Sequence, residues 1–319
     1  MYDDAMSSDF LQDSGIPVAP IDPTRAASGA AYQATPIPAG QPLMVAPTAA
    51  QASPLPAPNP QAAISIRGLV KTYPGKVAVN SLSLDIPQGS FYGLVGPNGA
   101  GKTTTLNMVT GLLLPDSGQV MILGRDVWSD INAAKRSIGV MPQADEIFDR
   151  LTGLQLLVYA GMLRGMPRRE AEARGKDLLA AFDLAGDAGK QVNEYSAGMT
   201  KKICLASAMI HSPRILILDE PFESVDPVSS ANLKDILVEY VSTGGTVVIS
   251  SHVMALVEKM CTHVAVIDHG LVKADGTIAQ VAAGEDLEGR FLDLVGGRHA
   301  ARRIAWLNGG GQVPTDEAR

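Results

Sequence analysis

Long apolar runs are missing from this chain of 319 residues. None approaches the ~18 residues that a membrane-spanning helix needs. The N-terminus opens with acidic residues instead of a basic stretch and an apolar block, so a secretory signal is not expected. We therefore expect any role at a membrane to come through a partner protein.

Cysteine, aromatic residues and excess positive charge are also scarce. Cys204 and Cys261 lie in apolar contexts without the spacing of a metal site, which indicates buried thiols in a reducing compartment. Aromatic residues make up 5% of the chain, so aliphatic side chains must fill the core. The formal net charge of −7 is the opposite of a nucleic-acid binder's basic footprint, and no nucleic-acid partner is expected.

Composition divides the chain into three parts. Residues 1–63 are rich in proline and alanine and hold 11 of the 21 prolines, which remove backbone donors and favour extended geometry. We expect this tail to be disordered. Apolar patterning begins at Ile64, and we place one folded domain at residues 64–295. Residues 296–319 are weakly patterned and stay unassigned.

Short apolar runs alternate with helical stretches inside the folded domain. Alternating apolar and polar residues predict half-buried strands at 64–66 and 82–86. Continuous apolar runs predict buried strands at 91–95, 215–218, 246–250 and 264–267. A helix is predicted from Lys102 to about Leu113, and a mostly helical insertion at about 147–211. This order of elements predicts an α/β fold with a largely parallel core sheet.

The segment after the third predicted strand matches the phosphate-loop pattern G-x-x-x-x-G-K-[ST]. Its glycines let the backbone wrap a phosphate with N–H groups pointing inward, and the positive end of the next helix faces the same phosphate. Lys102 supplies charge to the β- and γ-phosphate oxygens, and the Thr103 hydroxyl is a ligand for Mg²⁺. The residues predicted to bind the nucleotide here are Gly96, Pro97, Asn98, Gly99, Ala100, Gly101, Lys102, Thr103 and Thr104.

Polar residues follow two later strands and extend the predicted site. Asp219 and Glu220 directly follow the buried run at 215–218. Asp219 can hold Mg²⁺, and Glu220, which points to the other side of the strand, can orient and polarise an attacking water. His252 lies just past the strand at 246–250, where a histidine can contact the γ-phosphate. Gln143 can reach the metal or the attacking water.

Ser196 and Gly198 form a second anion-binding element, at the start of the helical run that follows them. The phosphate loop already surrounds one nucleotide. Two anion-binding helix ends in one chain therefore indicate that the second serves the nucleotide of another subunit.

In these motifs taken together, the sequence resembles the ATP-binding subunit of ABC transporters. The resemblance covers about residues 64–295 and implies a P-loop NTPase core with a mostly parallel sheet, an antiparallel β subdomain and a helical subdomain at about 147–211. It rests on an ordered set: Tyr73, residues 96–103, Gln143, residues 196–199, Asp219, Glu220, Asp226 and His252. Tyr73 is implied to stack on adenine.

The resemblance implies a role for each of the remaining site residues. Gln143 would touch both Mg²⁺ and the membrane partner. Ser196 and Gly198 would clasp the γ-phosphate across a head-to-tail dimer. Glu220 would be the catalytic base and His252 the switch histidine.

This sequence departs from the family pattern at two places. The commonest signature reads Leu-Ser-Gly-Gly-Gln, whereas residues 195–199 read Tyr-Ser-Ala-Gly-Met, so Met199 loses a polar contact. Glu223 replaces the usual serine in the loop after the acids and puts a negative charge near the dimer interface. The charged residues of the site remain, so we expect an active ATPase.

Details of the signature and of residues 287–292 are similar to the exporter branch associated with drug and antibiotic efflux. The resemblance therefore implies an ATPase that uses ATP and Mg²⁺ and binds an integral membrane transporter subunit at the cytoplasmic face of the cell membrane. It also implies a second ATP-binding domain. A homodimer is expected over a heterodimer, because one chain holds every element of a competent site.

Two other classes of function are weighed against this one. A non-transport ABC-type ATPase would act on nucleic acid or on the ribosome. The segment between Lys102 and Ser196 is too short for the coiled coil of DNA-repair members, zinc-binding cysteine pairs are absent, and ribosome-acting members usually carry two ATPase domains. A phosphoryl-transfer enzyme or GTPase would explain neither residues 196–199 nor His252.

Overall fold

The computed structural model describes residues 57–297, which form ten strands and nine α-helices. The strands are β1 (Ala62–Tyr73), β2 (Lys76–Pro87), β3 (Phe91–Val95), β4 (Ser117–Ile122), β5 (Arg125–Asp126), β6 (Ile138–Val140), β7 (Ile215–Leu218), β8 (Thr246–Ser251), β9 (His263–Asp268) and β10 (Leu271–Thr277). The helices are α1 (Lys102–Val109), α2 (Ile131–Ser137), α3 (Gly153–Leu163), α4 (Arg168–Ala181), α5 (Ala197–Met209), α6 (Pro227–Ser242), α7 (Met254–Met260), α8 (Ile278–Ala282) and α9 (Leu287–Leu294).

The strands divide into two sheets. A four-stranded antiparallel sheet has the order β2-β1-β4-β5, and a six-stranded sheet has the order β10-β9-β3-β8-β7-β6. In the second sheet only the pair β9 and β10 is antiparallel, and all other neighbours are parallel. The predicted α/β fold with a mostly parallel sheet and an antiparallel β part is confirmed.

The parallel sheet is buried on both faces, as its continuous apolar strands predict. Successive residues of β3 alternate between two clusters of buried side chains, with Phe91 and Val95 on one face and Tyr92 and Leu94 on the other. In register, Val95 pairs with Ser251 and Leu218 with Ile249. The carboxyl ends of β3, β7 and β8 therefore meet at one edge of the sheet, and the predicted site residues follow these ends.

Helices α3, α4 and α5 and two short 3-10 helices fall within residues 147–211. A capping box starts α3, since Thr152 accepts from the backbone N–H of Gln155 while the Gln155 side chain accepts from the backbone N–H of Thr152. Ser196 caps α5 by accepting from the backbone N–H of Met199. The helical insertion expected there lies in this part of the chain, and its domain boundaries stay a prediction.

Two local expectations are wrong. Strand β1 is buried from Ala62 to Leu69, including Ser65, and is not half-buried. The Ser65 hydroxyl accepts from the backbone N–H of Asn59, which satisfies it inside the core. The helix after the phosphate loop ends at Val109 and not near Leu113, because the chain turns at Gly111 with φ of 71°.

Cys204 and Cys261 are both buried and unpaired with each other, as expected. Burial raises the pKa of each thiol to about 12, so both are protonated at neutral pH. Among residues 57–297, no helix combines the length and the apolar character needed to cross a bilayer. The predictions for residues 1–56 and 298–319 lie outside the described residues.

Candidate functional site

The phosphate loop leaves β3 through backbone contacts that only glycine allows. A Cβ on Gly96 would lie 2.2 Å from the backbone oxygen of Ile267, and one on Gly101 would lie 2.4 Å from that of Ala78. Gly101 also has φ of 107°, in the left-handed region that side chains disfavour. Tight contact with β2 and β9 therefore fixes the loop, and α1 begins at its end with N–H groups that have no acceptor within the helix.

Lys102 folds back over this loop. Its side chain is buried, and Nζ donates to the backbone oxygens of Gly96 at 2.7 Å and Pro97 at 3.3 Å. Neither acceptor carries a formal charge, so the positive charge of Lys102 is held at the loop without being neutralised. An anion bound in the loop would therefore be attracted both by the charge of Lys102 and by the positive N-terminal end of α1.

A second lysine, which the sequence analysis did not select, reaches the same loop. Lys76 at the start of β2 donates from Nζ to the backbone oxygen of Gly99 at 3.1 Å. Its only signal in the sequence is a positive charge three positions after Tyr73, and Lys76 belongs to no known motif.

Asp219 and Thr103 meet at the edge of the sheet. The Thr103 hydroxyl donates to Asp219 Oδ2 at 2.8 Å, and the Ser250 hydroxyl donates to the other carboxylate oxygen. Ser250 Oγ also accepts from the backbone N–H of Glu220 at 2.8 Å. Ser250 thus joins β8 to the end of β7 and orients both acids, a role that the sequence pattern did not reveal.

Glu220 and His252 are in direct contact. His252 Nδ1 lies 3.1 Å from Glu220 Oε1, and the side chains are 49% and 22% exposed, respectively. Glu220 has φ of 46°, an uncommon conformation for a residue with a side chain. The turn after β7 is therefore held in a strained form that places the Glu220 carboxylate beside the histidine while leaving it open to water.

These residues surround one cavity of about 400 Å³. Ten residues predicted from the sequence line it: Tyr73, Asn98, Gly99, Ala100, Gly101, Lys102, Thr103, Thr104, Glu220 and His252. Lys76, Ala78 and Glu223 complete the lining. Gly96 and Pro97 lie at the base of the loop and do not line the cavity, and Asp219 reaches it through Thr103.

Besides Gly96, Pro97 and Asp219, three further predicted site residues do not line this cavity. A Cβ on Gly198 would lie 2.7 Å from Asp226 Oδ2, so the start of α5 packs against the loop before α6. Ser196 lies at that same helix start. Gln143 is exposed, and its backbone N–H donates to Glu146 Oε2 at 3.0 Å.

Asp226 caps helix α6 and also packs on Gly198. Its Oδ1 accepts from the backbone N–H groups of Val228 at 3.1 Å and Ser229 at 2.9 Å. The hydrogen bonds from Ser229 hold the pKa of this carboxyl below its ordinary value. Asp226 therefore has two structural roles at this position of the family pattern, since it caps α6 and packs against Gly198.

The chain has a phosphate loop between a strand and a helix, and acids at the ends of parallel strands. This arrangement defines the class of P-loop ATPases. The family model for "ABC transporter" matches residues 79–223. The chain is 37% identical over 223 residues to the daunorubicin/doxorubicin resistance ATP-binding protein DrrA of Streptomyces peucetius, covering 70% of this chain and 68% of that protein.

Two further comparisons agree. The chain is 37% identical over 217 residues to the Nod factor export ATP-binding protein I of Burkholderia lata. The aligned region covers 68% of this chain and 71% of that protein. A solved structure of an "ATP binding subunit of ABC transporter" superposes with a TM-score of 0.67 at 27% identity, over 72% of this chain and 98% of the other. The chain belongs to the ABC transporter family, and it is an ATP-binding protein that hydrolyses ATP.

Proposed function

We propose that this chain is the ATP-hydrolysing subunit of an exporter and acts at the cytoplasmic face of the cell membrane on an integral membrane partner. The support is the family together with its relatives, which include an ATP-binding protein for Nod factor export and one for drug resistance. The observation that carries the chemical part is the Glu220–His252 contact at the mouth of a cavity whose other wall is the phosphate loop.

Different residues of the cavity lining suit the phosphates and the adenine of a nucleotide. The loop amides and the side chains of Lys102 and Lys76 place positive charge around the phosphates. Tyr73 is 42% exposed and lines the same cavity, so its ring can stack on the adenine.

Thr103 and Asp219 fit a magnesium ion. A hydroxyl oxygen and a carboxylate oxygen 2.8 Å apart offer the hard oxygen ligands that Mg²⁺ prefers, with further positions left for water and phosphate. When bound, the ion would neutralise charge on the β- and γ-phosphates. The bond from Ser250 keeps Asp219 oriented toward this position. Gln143 is exposed and does not line the cavity, so its proposed role at the ion rests on the family pattern.

Glu220 is the proposed general base, and His252 is its neighbour on the γ-phosphate side. The carboxylate can accept the proton of an attacking water. His252 donates from Nδ1 to Oε1, which fixes the carboxylate and leaves Nε2 free to face the phosphate. The assignment of the Nδ1 proton follows from the carboxylate being only an acceptor.

Ser196 and Gly198 are proposed to complete the site of a second copy. Both lie at the N-terminus of α5 and outside their own chain's cavity, and this helix end can bind an anion. A head-to-tail pair of identical chains would bring each α5 start to the other chain's phosphate loop. A homodimer needs no element that this chain lacks.

The test is Glu220→Gln, with Glu258→Gln as its control, since Glu258 is exposed on α7 and lines neither site. We expect Glu220→Gln to bind ATP with near-normal affinity, to turn over ~10²–10⁴-fold more slowly, and to accumulate as an ATP-bound dimer. The control should match the unsubstituted protein. Normal turnover in Glu220→Gln would remove Glu220 from the mechanism.

A further inference from the structure

A second cleft lies at the amino end of β6, whereas the phosphate loop follows the carboxyl end of β3. It lies between the last turn of α2 and the C-terminal end of α3, and its volume is about 420 Å³. Its lining residues are Asn132, Lys135, Arg136, Leu163, Arg164 and Gly165. None of these residues belongs to the nucleotide cavity.

The charge of this cleft is entirely positive. Three of its six lining residues are cationic and none is acidic. Within residues 57–297, none of Lys135, Arg136 and Arg164 forms an ion pair with a carboxylate. Two cations of α4 are paired instead, since Arg174 contacts Glu170 and Lys176 contacts Glu172, both at 2.6 Å. Among the described residues, three cations without a carboxylate partner therefore lie around this one cleft.

Arg164 binds two backbone carbonyls beside the cleft and so offsets their negative charge. Its Nη1 donates to the backbone oxygen of Lys135 at 2.5 Å and lies 3.5 Å from that of Ile138. These carbonyls lie in the last turn of α2 and at its C-cap, where the partial negative charge of the helix end would repel an anion. Burial lowers the pKa of the Arg164 guanidinium, which indicates a partly desolvated cation.

Lys135 and Arg136 are left with no partner of opposite charge among the described residues. Lys135 is half-buried and Arg136 is exposed, so both side chains can reach a ligand in the cleft without a change of backbone. Asn132, one turn earlier on α2, adds an amide donor at the same wall. Two cations and an amide around an open volume match the oxygens of a phosphate group.

We propose that this cleft binds a phosphate ester, with Lys135 and Arg136 contacting the phosphate oxygens and Arg164 supplying fixed positive charge behind them. The phosphate can belong to a water-soluble ester or to the headgroup of an anionic phospholipid. Both ligands present the same chemistry to the cleft, and they differ in whether binding needs a bilayer.

The test compares the full chain with the double variant Lys135→Ala/Arg136→Ala. The control is Lys176→Ala/Lys259→Ala, which removes the same charge from exposed helix positions that line neither cavity. Arg164 is kept because it also caps α2. The ATPase rate of all three proteins should agree, which shows that the variants are folded.

Two probes separate the sources of phosphate. Glycerol 3-phosphate is titrated by calorimetry with the nucleotide cavity saturated by ADP and Mg²⁺, and flotation is measured with phosphatidylcholine vesicles with and without phosphatidylglycerol. We expect the cleft variant to bind about 10–30-fold more weakly than the control to at least one probe. A loss confined to glycerol 3-phosphate assigns a soluble ester, and one confined to the anionic vesicles assigns a headgroup. Equal binding by variant and control to both probes, or no binding by the unsubstituted protein, would overturn the proposal.

Discussion

Ser250→Ala tests whether one hydroxyl holds the two acids of the site in place. Ser250 is fully buried, donates to Asp219 and accepts from the backbone N–H of Glu220. Its loss removes a hydrogen bond to a charged group and leaves the partly buried backbone N–H of Glu220 without this acceptor. Together these effects should lower the free energy of unfolding by about 3 kcal/mol. Glu220, already at φ of 46°, would also lose the contact that fixes its turn.

The expected kinetic effect is separate from the effect on stability. A base displaced by a fraction of an ångström should lower kcat by ~10–100-fold while ATP affinity changes little, because the phosphate loop is untouched. The matched control is Ser90→Ala, which removes a buried hydroxyl that donates to the Pro87 backbone oxygen at the other end of β3. It should cost about 1 kcal/mol and leave kcat unchanged.

Urea unfolding and steady-state ATPase assays measure the two quantities. The reasoning is refuted if Ser250→Ala and Ser90→Ala lose equal stability and both keep normal kcat. A loss of stability in Ser250→Ala without a loss of kcat would mean that the Glu220 turn does not depend on this bond.

Three further changes have defined outcomes. Tyr73→Ala should weaken ATP binding by roughly 1–3 kcal/mol through lost stacking, while Tyr73→Phe retains it, and unchanged affinity in calorimetry would exclude the stacking. Glu223→Gln removes one of the two acids that line the nucleotide cavity, so ATP affinity should rise a few-fold at low salt and less at high salt, and a lower affinity would contradict this. The pKa of His211 is lowered to about 4, first by burial and then by Arg164, from an ordinary value near 6.5. The unfolded chain therefore binds this proton more readily, and stability should be complete above pH 6.5 and fall toward pH 4. His211→Gln should flatten that part of the urea-unfolding profile, and an unchanged profile would refute the assignment.

The parts of the site that the sequence predicts are those written in contiguous residues. The phosphate loop is eight consecutive positions with a fixed pattern, and Asp219 follows an apolar strand whose carboxyl end must lie at the edge of a parallel sheet. The α/β fold follows from the same runs, because strands buried on both faces alternate with helices.

The parts that the sequence does not predict depend on contacts between particular groups, most of them far apart in the chain. Ser250 acts through residues about 30 positions away, and Lys76 reaches a loop 23 positions later. Ser65 looks like the polar face of a half-buried strand, yet the neighbouring Asn59 satisfies it inside the core. No local pattern encodes such pairings, so only the folded chain reveals them.

Residues 195–199 depart from the family pattern and still keep the cap at the start of α5. The Ser196 hydroxyl accepts from the backbone N–H of residue 199, at 3.3 Å, and any amino acid except proline supplies that donor. Methionine at this position therefore preserves the cap of α5. Since the hydroxyl uses a lone pair in this bond, it would keep its own proton to donate to a phosphate in the proposed homodimer. The side chain that the family commonly has at position 199 is then not required for the bond that orients Ser196. The proposed homodimer would rely on the start of α5, Ser196 and Gly198.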